Sequence, residues 1–274
     1  MIKIGIIGYG SMGSMLIDGF ISSGKCIEEQ IIVSTRTICK LNSLKQKWDK
    51  IEIARDNIEV AQKAKVIFIC VKPYQIEDIL KEIKVKIASD THVISTNSFV
   101  SIRTIENIVK CKVTKISPSL TSEVREGITL VCHGKSVNKE DANYIESLLN
   151  GIGKVKLFKE NEFELADKFT SCGPGLIAAI FDELVKSGVK KNGNISKEDV
   201  EELVIQTLLG TAILFREKRI SFEEMIERVA TKGGITEEGI KVLRRELPDV
   251  FNEMLNESIE KSREISDNVN GKFE

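Results

Sequence analysis

The sequence is poor in the residues that build metal clusters, disulfide frameworks and rigid turns. It has two histidines, His92 and His133, and six cysteines scattered at positions 26, 39, 70, 111, 132 and 172 with no C-x-x-C pair among them. Zinc sites need clustered His and Cys, and small disulfide scaffolds need closely spaced pairs. Both are disfavoured, and the thiols suit a reducing cytoplasm. Only 4 of 274 residues are proline, while 42% are apolar and 30% charged, which excludes collagen-like, proline-rich and disordered chains. An excess of one charge sign is missing too, since 40 basic residues face 41 acidic ones for a net charge of -1. No global field draws the chain to nucleic acid or to an anionic membrane, so an anionic partner has to be gripped locally. No run approaches the roughly twenty apolar residues that span a bilayer, and residues 1–8 read as a core strand rather than a leader. These absences leave a cytoplasmic protein of two domains that binds a small molecule and neither nucleic acid nor membrane.

What is present is periodicity. Up to about residue 160, apolar runs of strand length (residues 3–8, 30–34, 51–54, 66–71, 92–96, 113–116, 128–132 and 154–158) alternate with amphipathic runs of helix length. That alternation predicts a parallel sheet flanked by helices. Residues 66–71 are apolar throughout, as befits a strand buried on both faces. From residue 161 the strand signal stops. Helical patterns follow, broken at 188–196, 219–221, 231–235 and 247–248, and the tail is polar from Asn256 and expected to fray at its end. The expected class is α/β, with an N-terminal doubly wound sheet over 1–160 and an all-helical domain over 161–274.

Gly8-Tyr9-Gly10-Ser11-Met12-Gly13 is a G-x-G-x-x-G motif that follows the first strand and opens a helix over 11–21. In that context Gly8 makes the turn, Gly10 lets a pyrophosphate approach the backbone, and Gly13 lets the helix pack on the sheet, as in a Rossmann dinucleotide site. A tight turn without ligand is the less favoured alternative. An NAD site normally carries an acidic residue about twenty positions further on, where it accepts from the ribose hydroxyls. Here the second strand ends instead in Ser34-Thr35-Arg36, whose hydroxyls and guanidinium suit a 2′-phosphate, so NADPH is preferred over NADH. Arg36 alone could equally be a solvated charge. Val71-Lys72-Pro73 and Thr96-Asn97-Ser98 lie at later strand ends, where such sheets bind ligands. Lys72 and Asn97 are evenly balanced between cofactor contacts and loop residues facing water.

These segments, with Asp56-Asn57, Ser171-Cys172-Gly173-Pro174 and Gly233-Gly234-Ile235-Thr236, occur in the order and spacing of the pyrroline-5-carboxylate reductases, which the chain resembles over nearly its whole length. The resemblance implies reduction of the cyclic imine of 1-pyrroline-5-carboxylate to L-proline in proline biosynthesis, with NADPH or NADH. It implies a helical C-terminal domain that interleaves with a partner subunit, giving a homodimer or a larger homo-oligomer. Position by position, it implies that Gly8, Gly10, Ser11, Met12 and Gly13 contact the pyrophosphate side and that Ser34, Thr35 and Arg36 hold the 2′-phosphate. Asn57 then lies near the adenosine, and Val71, Lys72 and Pro73 near the nicotinamide half. Ser171 and Cys172 open the long helix lining the substrate site, Gly233 and Gly234 form its binding loop, and Thr236 sits beside the imine.

Three segments depart from the family pattern. M-P-N-T-P-A becomes residues 117–122, Ser-Pro-Ser-Leu-Thr-Ser; S-G-S-G-P-A-Y becomes 170–176; and S-P-G-G-T-T becomes 231–236. Pro-Ser-Leu-Thr and Ser-Cys-Gly-Pro look closer to the late-competence ComER branch. The alternative reading is therefore a reductase homologue that binds dinucleotide with little or altered catalysis and has a competence-associated role. A β-hydroxyacid dehydrogenase fits poorly, because residues 176–180 lack the lysine that family expects. Hydride transfer to an imine needs no strong base. The Thr236 hydroxyl can orient the nitrogen, or Thr236 can be an N-cap for residues 237–245, and the Gly233 and Gly234 amides can grip a substrate carboxylate. Glu237 and Glu238 then oppose an anionic substrate unless Lys232 offsets one of them or both point to solvent. Cys172, with no histidine near it in sequence, reads as a packing residue rather than a nucleophile. His92 and His133 take no catalytic role, and no metal is expected.

Overall fold

The computed structural model describes residues 1–37, 39–191 and 194–271. Eight strands form one sheet: β1 (Ile4–Ile7), β2 (Ile31–Ser34), β3 (Glu52–Ile53), β4 (Val66–Ile69), β5 (His92–Ser95), β6 (Lys112–Pro118), β7 (Gly127–His133) and β8 (Gly153–Leu157). Their order is β3-β2-β1-β4-β5-β6-β7-β8. Every pairing is parallel except β6 with β7, where Thr114 faces His133 and Pro118 faces Thr129. The chain runs outward from β1 to β3 and returns to the other flank of β1 at β4. That reversal leaves a crevice between the carboxyl ends of β1 and β4, the usual ligand position in such sheets.

Helices cover both faces because the strands bury both. One core layer packs Leu16, Ile17 and Phe20 of α1 (Ser11–Ser22), Leu44 of α2 (Cys39–Lys47) and Ile145 and Leu149 of α6 (Lys139–Leu149) on Ile4, Ile6 and Phe68. The opposite layer packs Val60 of α3 (Asn57–Lys63), Leu80 of α4 (Ile76–Ile83) and Ile105 of α5 (Ile102–Val109) on Ile32, Ile67 and Val93. Five further helices follow among the described residues: α7 (Phe163–Thr170), α8 (Gly173–Lys191), α9 (Lys197–Lys218), α10 (Phe222–Val229) and α11 (Ile235–Asn270). The architecture is a Rossmann-type doubly wound sheet followed by a helical region.

One expectation needs correction. The break at 247–248 does not occur, because Pro248 lies inside the 36-residue α11. Proline keeps a helical φ and forfeits one hydrogen bond, so a long helix carries it at a cost of about 3 kcal/mol. The polar tail from Asn256 is helical as far as Asn270. Val269 is buried and Ile265 packs with it on the α3–α4–α5 layer, while Ser266 Oγ and Asn270 Nδ2 donate to the carbonyl of Phe99. Residues 272–274 lie outside the described residues.

Two compact units result, Met1–Pro174 with Ile259–Glu274, and Gly175–Ser258. The first therefore reaches past residue 160 to include α7 and takes back the end of α11. In the second, Val185 is the sole buried residue among those described, while Leu203, Ile205, Leu209, Phe222 and Val242 are exposed.

Candidate active site

The turn from β1 into α1 has little freedom. Gly8 has φ +101°, and a Cβ there would stand 2.4 Å from the Cys70 carbonyl oxygen at the end of β4. A side chain at that position would force the crevice apart. Gly13 is equally constrained, since its Cβ would lie 2.1 Å from the Gly8 carbonyl oxygen. Gly10 differs: a Cβ there meets nothing within 4 Å. No side chain caps this helix, and its first turn carries no acidic residue, whereas Asp56, Ser101, Asn138, Ser196 and Ser221 cap α3, α5, α6, α9 and α10. Ser11, Met12 and Gly13 thus open a helix with no side-chain cap, no acidic residue in its first turn and open space around Gly10, leaving its N-terminal amides without a side-chain acceptor.

At the end of β2, Ser34 is buried and its hydroxyl donates to Asn57 Oδ1 at 2.6 Å. Asn57 Nδ2 donates in turn to Glu82 Oε2 at 2.8 Å. The hydroxyl expected to donate to a phosphate is therefore already donating elsewhere. Thr35 accepts from the Thr37 amide through Oγ1, and among the described residues its hydroxyl has no acceptor and the exposed Arg36 has no ion-pair partner. Sequence reasoning did not single out Glu82, and no local pattern joins it to Ser34.

The later strand ends differ from one another. Lys72 is exposed and precedes a single turn opened by Pro73, with its amide donating to Gln75 Oε1, while Val71 packs against the core. Asn97 is buried. Its Oδ1 accepts from the Phe99 amide at 2.8 Å, and its Nδ2 has no partner among the described residues. A buried N–H without an acceptor is costly, and a ligand carbonyl or hydroxyl would satisfy it.

Where α7 meets α8, Ser171 Oγ lies 2.7 Å from Ser117 Oγ, which itself donates to the Asp167 carboxylate. Burial first and the Asp167 charge second push the Cys172 thiol above its ordinary pKa, which opposes thiolate formation. Lys168 is buried, with its ammonium donating to Ser262 Oγ at 2.5 Å.

In the helical unit, residues 231–234 form the turn that leads into α11. Gly233 has φ +73°, its amide donates to Glu237 Oε2 at 2.6 Å, and the Gly234 amide donates to the Thr231 carbonyl at 2.9 Å. Both amides expected to grip a carboxylate are thus engaged within the loop, and Gly233 already holds the chain's own. The charge offset comes from Lys241 rather than Lys232, at 2.7 Å from Glu238 and 4.0 Å from Glu237. Because α11 begins at Ile235, Thr236 lies inside it rather than capping it, and its hydroxyl has no partner among the described residues.

His92 and His133 lie away from this crevice. His92 Nε2 meets Thr114 Oγ1 at 2.7 Å, and His133 joins the same hydroxyl through Nδ1 at 2.8 Å and Glu146 through Nε2 at 3.2 Å.

Comparison with known proteins gives the family. Residues 3–98 match the family described as NADP oxidoreductase coenzyme F420-dependent, and residues 160–265 match pyrroline-5-carboxylate reductase dimerisation. The chain is 35% identical to pyrroline-5-carboxylate reductase 3 of Bacillus subtilis over 98% of both chains. It is 29% identical to ComE operon protein 4 of the same organism over 91% of both. Among solved structures it is similar to the pyrroline carboxylate reductase of Plasmodium falciparum with NADP bound, with a TM-score of 0.82, 25% identity and 98% of each chain covered. Among the described residues, no helix is long and apolar enough to cross a membrane.

Proposed function

The chain belongs to the pyrroline-5-carboxylate reductase family, and on that premise we propose that it reduces 1-pyrroline-5-carboxylate to L-proline with NADPH, in proline biosynthesis. The observation that carries this is the cradle at the uncapped start of α1, with open space over Gly10, in a chain that matches a reductase from end to end. The competence-associated alternative is less favoured, because the relative from the ComE operon shares less of the chain at lower identity.

When bound, NADPH supplies the hydride; the chain supplies position and charge. The amides of residues 11–13 neutralise the pyrophosphate, with Gly8 and Gly13 holding them in place. Thr35 and Arg36 donate to the 2′-phosphate, while Ser34 and Asn57 border the adenosine ribose. Val71, Lys72 and Pro73 flank the nicotinamide half, and Asn97 offers it the unpartnered Nδ2. In the helical unit Thr236 orients the imine nitrogen through its free hydroxyl, and Gly233 and Gly234 shape the loop that receives the substrate carboxylate. Ser171, steadied by Ser117 and Asp167, and Cys172 border the substrate without forming a bond to it. Residues 1–160 serve the cofactor, and 161–274 serve the substrate and assembly.

Assembly is as a homodimer or a larger homo-oligomer. A helical unit with one buried residue among those described cannot supply its own core, and a second copy covers its apolar helices. A groove of about 630 Å³ lined by Ile128, Leu130, Leu165 and Phe169 adds apolar surface that reaches into the dimerisation match. Free thiols at Cys26, Cys70, Cys111, Cys132 and Cys172 suit the cytoplasm.

The test is consumption of NADPH with 1-pyrroline-5-carboxylate, with proline quantified and NADH run in parallel. One proline formed per NADPH consumed supports the proposal. Tight nucleotide binding without proline refutes it in favour of the competence-associated role.

A further inference from the structure

We propose that Glu82 is a positioning residue that limits discrimination between NADPH and NADH, by fixing through Asn57 the direction in which the Ser34 hydroxyl points. This rests on the dinucleotide reading of the β1–α1 crevice. The chain of contacts crosses three elements: Ser34 at the end of β2, Asn57 at the start of α3, and Glu82 in the last turn of α4.

A carboxylate only accepts hydrogen bonds. Glu82 Oε2, at 2.8 Å, therefore requires the NH₂ end of the Asn57 amide to face it. The opposite orientation would set Oδ1 against a carboxylate oxygen. With Nδ2 committed to Glu82, Oδ1 faces Ser34 at 2.6 Å and must receive the hydroxyl proton. Ser34 Oγ is then left with lone pairs alone for anything that meets the end of β2. Lone pairs accept from the ribose 2′-hydroxyl of NADH but cannot donate to the 2′-phosphate of NADPH. Phosphate recognition falls to Thr35 and Arg36, and the relay withholds a third donor.

Glu82→Gln changes the direction without changing the shape. A glutamine amide can also donate, so Asn57 can reverse: the introduced amide donates to Oδ1, Asn57 Nδ2 donates to Ser34 Oγ, and the serine proton is released toward the phosphate. A hydrogen bond to a charged group should raise the ratio of the NADH to the NADPH dissociation constant about tenfold. Removing a negative charge near a phosphate could act the same way without the relay, so the substitution is repeated in a Ser34→Ala background.

Both dissociation constants are measured by calorimetry for wild type, Glu82→Gln, Ser34→Ala and the double variant. The relay requires the roughly tenfold rise with Ser34 present and none in the Ser34→Ala background. An unchanged ratio in Glu82→Gln overturns the inference, as does an equal rise in both backgrounds. Glu82→Met, which removes the acceptor at similar size, should shift the ratio the same way and serves if the glutamine variant folds poorly. Failure of wild type to bind either nucleotide refutes the dinucleotide reading instead.

Discussion

Replacing Gly10 with alanine separates binding from folding at the β1–α1 turn. The backbone at Gly10 has φ −104° and ψ −163°, open to any L-residue, and the added methyl meets nothing within 4 Å. Alanine is a poorer N-cap than glycine, a difference of up to about 1 kcal/mol, or about 2–4 °C in Tm for a chain of this size. The methyl nevertheless occupies the space over the amides of residues 11–13. Each charge-assisted hydrogen bond from those amides is worth about 1.5–3 kcal/mol, so losing two weakens NADPH binding about a hundredfold or more. Gly13→Ala is the contrast. Its methyl would stand 2.1 Å from the Gly8 carbonyl oxygen, so the helix must lift off the sheet and folding itself suffers. Calorimetry of NADPH binding paired with thermal melting reads both effects. If Gly10→Ala binds NADPH within threefold of wild type, or melts as early as Gly13→Ala, the assignment of the open space to a pyrophosphate is wrong.

Burial lowers the pKa of His92 from 6.5 to about 4. The unfolded chain therefore binds the extra proton first as pH falls, and this contribution to stability is present above pH 6.5 and lost as pH drops toward 4. Between pH 7.5 and 5 that amounts to about 2 kcal/mol. Urea denaturation at the two pH values should show a loss that His92→Gln reduces by that amount, and equal slopes in both proteins would refute it. Lys115 is buried and pairs with Glu160 at 3.0 Å, so Glu160→Ala strands the ammonium and should lower unfolding free energy by about 2–3 kcal/mol in denaturant titration. A change under about 0.5 kcal/mol would mean that the ammonium finds water. Glu237→Ala frees the Gly233 amide for the substrate and should lower the KM for 1-pyrroline-5-carboxylate about fivefold with kcat unchanged. An unmoved KM would remove that amide from the substrate site.

The sheet was legible because its strands are short, apolar and bounded by polar turns: all eight lie within two residues of the expected positions. The glycine motif was legible for the same local reason, since the demands on Gly8 and Gly13 arise within one strand–turn–helix unit. Pro248 misled because a local rule was applied to a helix whose length outweighs it. The docking of the tail was illegible because its few apolar residues, Ile265 and Val269, pack against partners distant in sequence. The direction of the Ser34 hydroxyl was illegible, since it depends on an amide and a carboxylate on two other elements. The hold of Glu237 on Gly233 spans only four residues, and its i, i+4 spacing was a usable signal beside a glycine turn.

The most direct test is a crystal structure of the protein with NADPH bound. The pyrophosphate should lie on the amides of Ser11 to Gly13 over Gly10, the 2′-phosphate on Thr35 and Arg36, and Asn97 Nδ2 should donate to the nicotinamide half. A nucleotide seated away from the β1–α1 turn, or its 2′-phosphate pointing away from Arg36, would contradict that placement.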